Sequence, residues 1–260
     1  MNNEDFRSKF QGGDLTIGTF VKIGDLSVIE MLTDSAIDFV VLDQEHAPLD
    51  RRSLDILLFA ARSRGLPALV RVPTSEPSVI LAALDGGAAG ILLPHVGDAA
   101  TARRAAAACR YRAGRGYSGA VRSTRNRGAM REAIAAVDRE IVVIAQIEDA
   151  AAVDRAAEIA ACEGIDGLFI GRGDLAVSMR AASSDAPEIW MAARSIAAAA
   201  RQHGKAICAF AAGWPEADRL IDLGARAIVL GSDQSYLKAK ASQIVTEAAL
   251  RCERLTPEGT

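Results

Sequence analysis

The sequence predicts a (β/α)8 barrel formed by a single domain spanning residues 1–260, and three observations predict it. Eight short apolar runs rich in β-branched residues alternate with segments of helical period, at a length that suits one such barrel. Glycines stand between a helical segment and the next apolar run at Gly65, Gly164, Gly204 and Gly224, where a left-handed helix stop belongs. Ionisable side chains gather just after the runs rather than before them, and in α/β folds that strand end binds ligands. An open doubly wound sheet is the alternative, but no GxGxxG turn follows the first run.

In chain order, Gly12-Gly13 is a turn and residues 15–21 read as the first strand. Residues 27–33 suit a short helix, and 39–42 form an unbroken apolar run that suits a strand buried on both faces. A helix over 51–64 stops at Gly65. The third strand covers 68–72 and ends at Pro73, and a short helix follows over 78–84. The fourth strand covers 91–93, and Asp98 is placed to cap the Ala-rich helix that runs to Arg110. A Gly- and Arg-rich connection, 112–128, is long for a compact domain. Strands are expected at 141–147, 167–170, 206–210 and 227–230. Helices are expected at 150–161, 189–202 and 215–223, with a last one from about 234 to 252.

Half of the residues are hydrophobic, enough for a sizeable core, and the net charge of -3 suggests no nucleic-acid partner. The first ten residues hold no apolar signal-peptide core, and no apolar run is long enough for a membrane span. The four cysteines, Cys109, Cys162, Cys208 and Cys252, form no CxxC pair, so no disulfide framework is expected. Together these features predict a cytoplasmic protein without a membrane partner.

The polar residues at the strand ends carry the chemistry. Asp43, Glu45 and His46 follow the second strand, and Arg71 closes the third. Pro94 and His95 follow the fourth. Gln146 and Glu148 alternate with Ala145 and Ile147, so both face one side of the fifth strand. Gly171, Arg172, Gly173 and Asp174 follow the sixth, and Gly231, Ser232 and Asp233 the eighth. Charges brought together without partners are costly, so their convergence points to mutual compensation, a metal or an anion. Glu148 and Asp174 offer carboxylate oxygens to a hard divalent cation, Arg71 can fork onto a carboxylate, and His46 is a general base near neutral pH, with Asp43 or another carboxylate to orient it. The bland reading of each is a helix cap, a surface charge or a hydrogen-bonded scaffold. No lysine stands centrally within a strand as a Schiff-base nucleophile would; Lys22, after the first strand, is a poor candidate.

The stretches VLDQEHAP, VRVPTSEP, AQIEDAAAV, EGIDGLFIGRGDL and VLGSD, in this order from about Thr16 to Asp233, resemble the HpcH/HpaI-type class II aldolases of the phosphoenolpyruvate/pyruvate superfamily. The resemblance implies a (β/α)8 barrel assembled as a homotrimer or homohexamer, with the last helix exchanged between subunits. It implies reversible cleavage of a 4-hydroxy-2-oxo acid to pyruvate, or a close 2-oxo acid, and an aldehyde through a metal-stabilised enolate. It further implies that Glu148 and Asp174 hold Mg²⁺, Mn²⁺ or Co²⁺, and that Arg71 steadies the enolate. Gln146 would order the metal site, and backbone N–H groups near Gly171 and Gly173 would take the carboxylate. His46 would handle protons and Asp85 would pair with it across a subunit boundary, while Asp43 matches with a less defined role. The chain departs from the family's GPxDLS at Arg172, a cation that either binds a second acid group or points outward. Arg115, Arg122, Arg125 and Arg127 face either an acidic substrate tail or, the favoured reading, solvent or a neighbouring subunit. Other readings are a Claisen-type lyase or synthase acting on a thioester or an oxaloacetate-like acid, and a non-catalytic barrel that binds a small acid.

Overall fold

A computed structural model describes residues 1–255, with side chains described through residue 251. Eight parallel strands close a barrel in sequence order: β1 Thr16–Val21, β2 Phe39–Asp43, β3 Ala68–Arg71, β4 Gly90–Leu93, β5 Val142–Ile147, β6 Gly167–Ile170, β7 Ala206–Ala211 and β8 Ala227–Ser232. The helices are α1 Asn3–Gly12, α2 Leu26–Asp34, α3 Arg51–Ser63, α4 Pro77–Asp85, α5 Ala99–Cys109, α6 Met130–Glu140, α7 Ala150–Val153, α8 Ala156–Ala160, α9 Arg172–Ser178, α10 Pro187–Gln202, α11 Trp214–Asp222 and α12 Asp233–Leu255.

Two cores follow from the period-two alternation of strands. Outward residues such as Val40, Leu42, Val70, Ile91 and Val143 pack under the helices with Leu57, Leu58, Ile80 and Ile196. Inward residues such as Phe20, Val41, Leu69, Ile144, Phe169 and Cys208 fill the barrel. Two residues beyond each of these inward side chains stand Lys22, Asp43, Arg71, Gln146, Gly171 and Phe210, so one alternation builds both the apolar interior and the polar mouth. Gly90 is required for closure, because a Cβ there would overlap the carbonyl oxygen of Val142 on the next strand.

The glycine stops behave as expected: Gly65, Gly164, Gly204 and Gly224 all have positive φ, between 61° and 98°. Asp98 caps α5 by accepting the Thr101 N–H at 2.7 Å. The expected helix over 150–161 is instead α7 and α8, split at Asp154 and Arg155, where the Arg155 N–H turns back to the Ala152 carbonyl at 3.1 Å. Three helices have no counterpart in the sequence reading. The most consequential is α1, capped by Asn2, whose Phe6 and Phe10 close the strand-start end of the barrel, with the Phe6 ring 5.3 Å from that of Phe39. Asp166 ties that closure down by accepting from Arg7, from Arg110 at 3.0 Å and from the Val143 N–H at 2.9 Å. The others are α6, between the arginine-rich connection and β5, and α9, which starts one residue after Gly171. No helix among the described residues is long and apolar enough to cross a membrane. Cys109, Cys162 and Cys208 are free and buried, and the Cys252 side chain lies outside the described residues.

Candidate functional site

The mouth is built from strand ends brought into register. Asp43 and Arg71 are partners across β2 and β3. The Arg71 guanidinium forks onto the Asp43 carboxylate, Nε to Oδ1 at 3.0 Å and Nη2 to Oδ2 at 2.7 Å, and lies 4.5 Å from the centre of the Phe20 ring. Its Nε is also 3.3 Å from a Glu45 oxygen, while Nη1 has no acceptor among the described residues. Asp43 Oδ1 accepts the backbone N–H groups of Glu45 and His46, each at 3.1 Å, and Lys22 Nζ stands 3.2 Å from Oδ2. Burial alone would raise the Asp43 pKa, but the Arg71 hydrogen bonds and charge, the His46 N–H and Lys22 hold it below the ordinary value. Asp43 therefore anchors Arg71 and fixes the loop. It does not touch the His46 imidazole, whose nearest carboxylate is Glu45, at 3.8 Å from Nε2. His46 itself is exposed, at 52%.

A second cluster forms beside the first. Glu45, His95 and Glu148 present ligand-capable atoms all within 4.8 Å of one another. Glu148 is fully buried; its Oε1 accepts the His95 backbone N–H at 2.7 Å and its Oε2 accepts a hydrogen bond from Gln146. Burial pushes the Glu148 carboxyl up to about 7; Glu45 and Asp174 add to the rise, and the His95 N–H and imidazole oppose it. His95 sits at φ 50°, a conformation unusual for a non-glycine residue, and this turns both its N–H and its ring towards Glu148. Burial lowers the His95 pKa, but Glu148, Asp149 and Glu45 outweigh it and raise the imidazole above its ordinary value. Two oxygens of this region, Glu45 Oε2 and Gln146 Oε1, are buried without a hydrogen-bond partner. Orphaned acceptors next to crowded carboxylates are a donor set that fits a divalent cation.

Asp174, in the first turn of α9, lines a cavity of about 270 Å³ together with Arg71, Gln146, Gly171, Arg172 and Gly173. Gly171 has a steric role: a Cβ there would stand 2.7 Å from Glu148 Cβ and 3.1 Å from its Oε2. Of the N–H groups near Gly171 and Gly173, that of Gly171 is already used, because it donates to the Ile147 carbonyl at 3.1 Å as part of the barrel ladder. The N–H groups left over at this turn belong to the start of α9, Gly173 among them.

Arg172 does not point outward. Its side chain is 4% exposed, pairs with Glu216, donates from Nη1 to the Ser184 carbonyl at 2.8 Å and stacks 4.5 Å from the Trp190 ring centre. Asp85 closes α4, at the strand-start end, and is held by Arg115 at 2.7 Å. The length of a strand, about 13 Å for four residues, separates it from the mouth of its own barrel and from His46. Three arginines of the 112–128 connection are occupied at sites away from the mouth. Arg115 takes Asp85, Arg122 takes the Gly86 carbonyl and Asp55, and Arg127 takes Glu140.

Glu45 and His95 were visible in the sequence as residues after strands, but nothing there assigned them to this cluster. The signal was their position; the missing information was the left-handed turn at His95.

Comparison with known proteins places this geometry. The family model described as HpcH/HpaI aldolase/citrate lyase matches residues 16–239. A 5-keto-4-deoxy-D-glucarate aldolase of Salmonella paratyphi C (strain RKS4594) is 33% identical over 251 residues, covering 94% of this chain and 98% of that protein. A crystal structure of an HpcH/HpaI aldolase/citrate lyase family protein from Burkholderia cenocepacia J2315 superposes with TM-score 0.89 at 30% identity, over 95% of this chain and 99% of that one. The citrate synthase SbnG superposes with TM-score 0.86 at 27% identity, over 95% and 98%. The chain is an aldolase, a carbon–carbon lyase acting on small molecules, and belongs to the HpcH/HpaI aldolase/citrate lyase family.

Proposed function

We propose that the protein reversibly cleaves a 4-hydroxy-2-oxo acid to pyruvate, or a close 2-oxo acid, and an aldehyde. The observation that carries this reading is a single cavity lined by the open edge of Arg71, by Gln146 and by Asp174, with the Glu45–His95–Glu148 cluster adjoining it. Glu148 and Asp174 would hold a divalent cation, Mg²⁺, Mn²⁺ or Co²⁺; Glu45 and His95 cluster with Glu148, and Asp174 is near enough for its charge to act on Glu148. When bound, the cation would supply Lewis-acid stabilisation of charge on a 2-oxo-acid oxygen.

The chain's own residues do the rest. Arg71 is fixed on one edge by Asp43 and on its face by Phe20, so Nη1 is a preorganised donor to an enolate oxygen. Gly173 leaves the first N–H groups of α9 open to the carboxylate of the 2-oxo acid. Gln146 holds the Glu148 carboxylate in place. His46 takes the proton of the C4 hydroxyl in cleavage and returns it in synthesis. Asp85 supports His46 only from a second copy, in a homotrimer or homohexamer. The 23-residue α12, with Leu237, Ile244 and Val245 exposed at 67%, 58% and 69%, suits exchange between subunits.

Because the curated relatives are 5-keto-4-deoxy-D-glucarate aldolases, that sugar acid is the first substrate to offer. Pyruvate release, followed with lactate dehydrogenase and NADH, is expected with Mg²⁺, Mn²⁺ or Co²⁺ and lost in EDTA. Absence of any 2-oxo acid product from this and simpler 4-hydroxy-2-oxo acids, with metal present, would overturn the reading. The likeness to SbnG supports a second one, Claisen-type condensation on an acyl thioester, recognisable by free thiol release.

A further inference from the structure

One cation of the mouth has no part in the chemistry so far. Lys22 stands two residues beyond Phe20, so the alternation of β1 turns its side chain into the cavity that Arg71, Gln146 and Asp174 also line. Its backbone is clamped by Asp233. The Lys22 N–H meets both Asp233 oxygens, at 3.1 and 2.9 Å, and the Ile23 N–H donates to Oδ2 at 2.8 Å. Lys22 Nζ stands 3.2 Å from Asp43 Oδ2, the oxygen that also accepts from Arg71 Nη2 at 2.7 Å.

Asp43 does not need this second cation. Without it, both carboxylate oxygens already accept, from the Arg71 fork and from the Glu45 and His46 N–H groups. Asp43 rather steers the ammonium. Asp43 Oδ2 is the only acceptor that Nζ meets among the described residues, and an ammonium carries three N–H donors. The donors left over can be reached, because the side chain is 24% exposed and lines the cavity. The surrounding wall is largely apolar: the Phe20 ring centre is 5.8 Å from Nζ, and Phe169 and Phe210 share the lining. Against such a wall a charged donor acts more strongly than in water.

The reaction leaves one oxygen without a donor. The carboxylate of the 2-oxo acid faces the start of α9, and its keto oxygen faces Arg71. The C4 oxygen loses its proton to His46, and the negative charge it then carries has no partner. We propose that Lys22 is a catalytic residue of the carbon–carbon step, and that its free N–H groups donate to the C4 oxygen. The proposal rests on the pyruvate-aldolase reading. In cleavage His46 takes the hydroxyl proton, the C3–C4 electron pair passes to the enolate, and the C4–O bond becomes the aldehyde carbonyl. Lys22 neither gains nor loses a proton; it stabilises the alkoxide on the way. In synthesis the same donors polarise the aldehyde carbonyl. Enolate formation from pyruvate alone involves no C4 oxygen, so Lys22 is idle in it.

The test separates these two steps in the full chain with Mn²⁺. Cleavage is measured on 4-hydroxy-2-oxopentanoate and on 5-keto-4-deoxy-D-glucarate, and enolate formation by hydrogen–deuterium exchange at the pyruvate methyl. Lys22→Met is expected to lower kcat for cleavage about 10²–10³-fold, as loss of an oxyanion donor does, while exchange changes by less than about threefold. Lys22→Gln, which keeps an N–H donor, should fall between wild type and Lys22→Met, and it guards against misfolding of the first variant. Cleavage by Lys22→Met at the wild-type rate would overturn the proposal. A loss carried by KM alone would do the same, since it would make Lys22 a reader of the substrate's tail. So would exchange lost in step with cleavage in both variants, which would make Lys22 a support for Arg71. Any of these outcomes in a protein whose wild type exchanges refutes this inference alone, whereas wild-type protein that fails to exchange refutes the reading beneath it.

Discussion

Glu148→Gln should stabilise the metal-free protein while abolishing its activity. Glu148 is buried, and its carboxyl is raised from an ordinary 4.5 to about 7. Between those values the folded protein keeps a proton that the unfolded chain has lost, so folding stability falls as pH rises through this window. The full rise corresponds to about 3 kcal/mol above pH 8 and to under about 1 kcal/mol at pH 5. Glutamine removes that cost. Its amide oxygen can accept the His95 N–H, and the Gln146 amide can turn so that its orphaned Oε1 accepts from the new NH2 group. Urea denaturation in EDTA is therefore expected to show Glu148→Gln more stable than wild type by about 1–3 kcal/mol at pH 8.5, with the difference shrinking below about 1 kcal/mol at pH 5. The same variant should lose metal affinity and turnover, a trade of stability for function. A variant no more stable than wild type at pH 8.5, or an advantage that does not change with pH, would refute the electrostatic argument.

Three further predictions follow from contacts at the site and on α12. Arg71→Lys keeps the charge beside Asp43 but cannot reproduce the fork and the free Nη1 together, so kcat/KM should fall about 10²–10³-fold while circular dichroism remains native. Gly171→Ala forces a Cβ to within 2.7 Å of Glu148; isothermal titration with Mn²⁺ should show affinity at least about tenfold weaker, and unchanged affinity would contradict the steric role of this glycine. Leu237→Glu paired with Val245→Glu places two charges on the apolar face of α12, and light scattering should show the assembly dissociating towards monomer.

The barrel was legible because its strands are short apolar runs, its helices end at glycines, and three polar mouth residues lie two places beyond inward apolar ones. Val41 leads to Asp43, Leu69 to Arg71 and Ile144 to Gln146, so the alternation that fills the core also points to the site. What escaped depends on tertiary contacts. The polar segment that forms α1 carries little helical signal beyond Asn2, and its purpose emerges only when Phe6 and Phe10 meet Phe39 across the barrel floor. The Glu45–His95–Glu148 cluster draws on three separate strand ends, and it depends on a left-handed backbone at His95, a conformation uncommon outside glycine. Arg172 could be recognised in sequence as an extra cation, but its direction is set by Glu216, Ser184 and Trp190, all at least 12 residues away. Asp85 shows the limit of a single chain, since its own Arg115 holds it at the end away from its own His46.

On the proposed chemistry, this site makes an enolate from pyruvate. The most direct measurement is loss of the pyruvate methyl proton signal in D2O by NMR, with Mg²⁺ or Mn²⁺ and again with EDTA. Exchange should need both metal and enzyme and should disappear in Glu148→Gln. Absence of exchange with metal bound would contradict it, as would exchange that persists undiminished in EDTA.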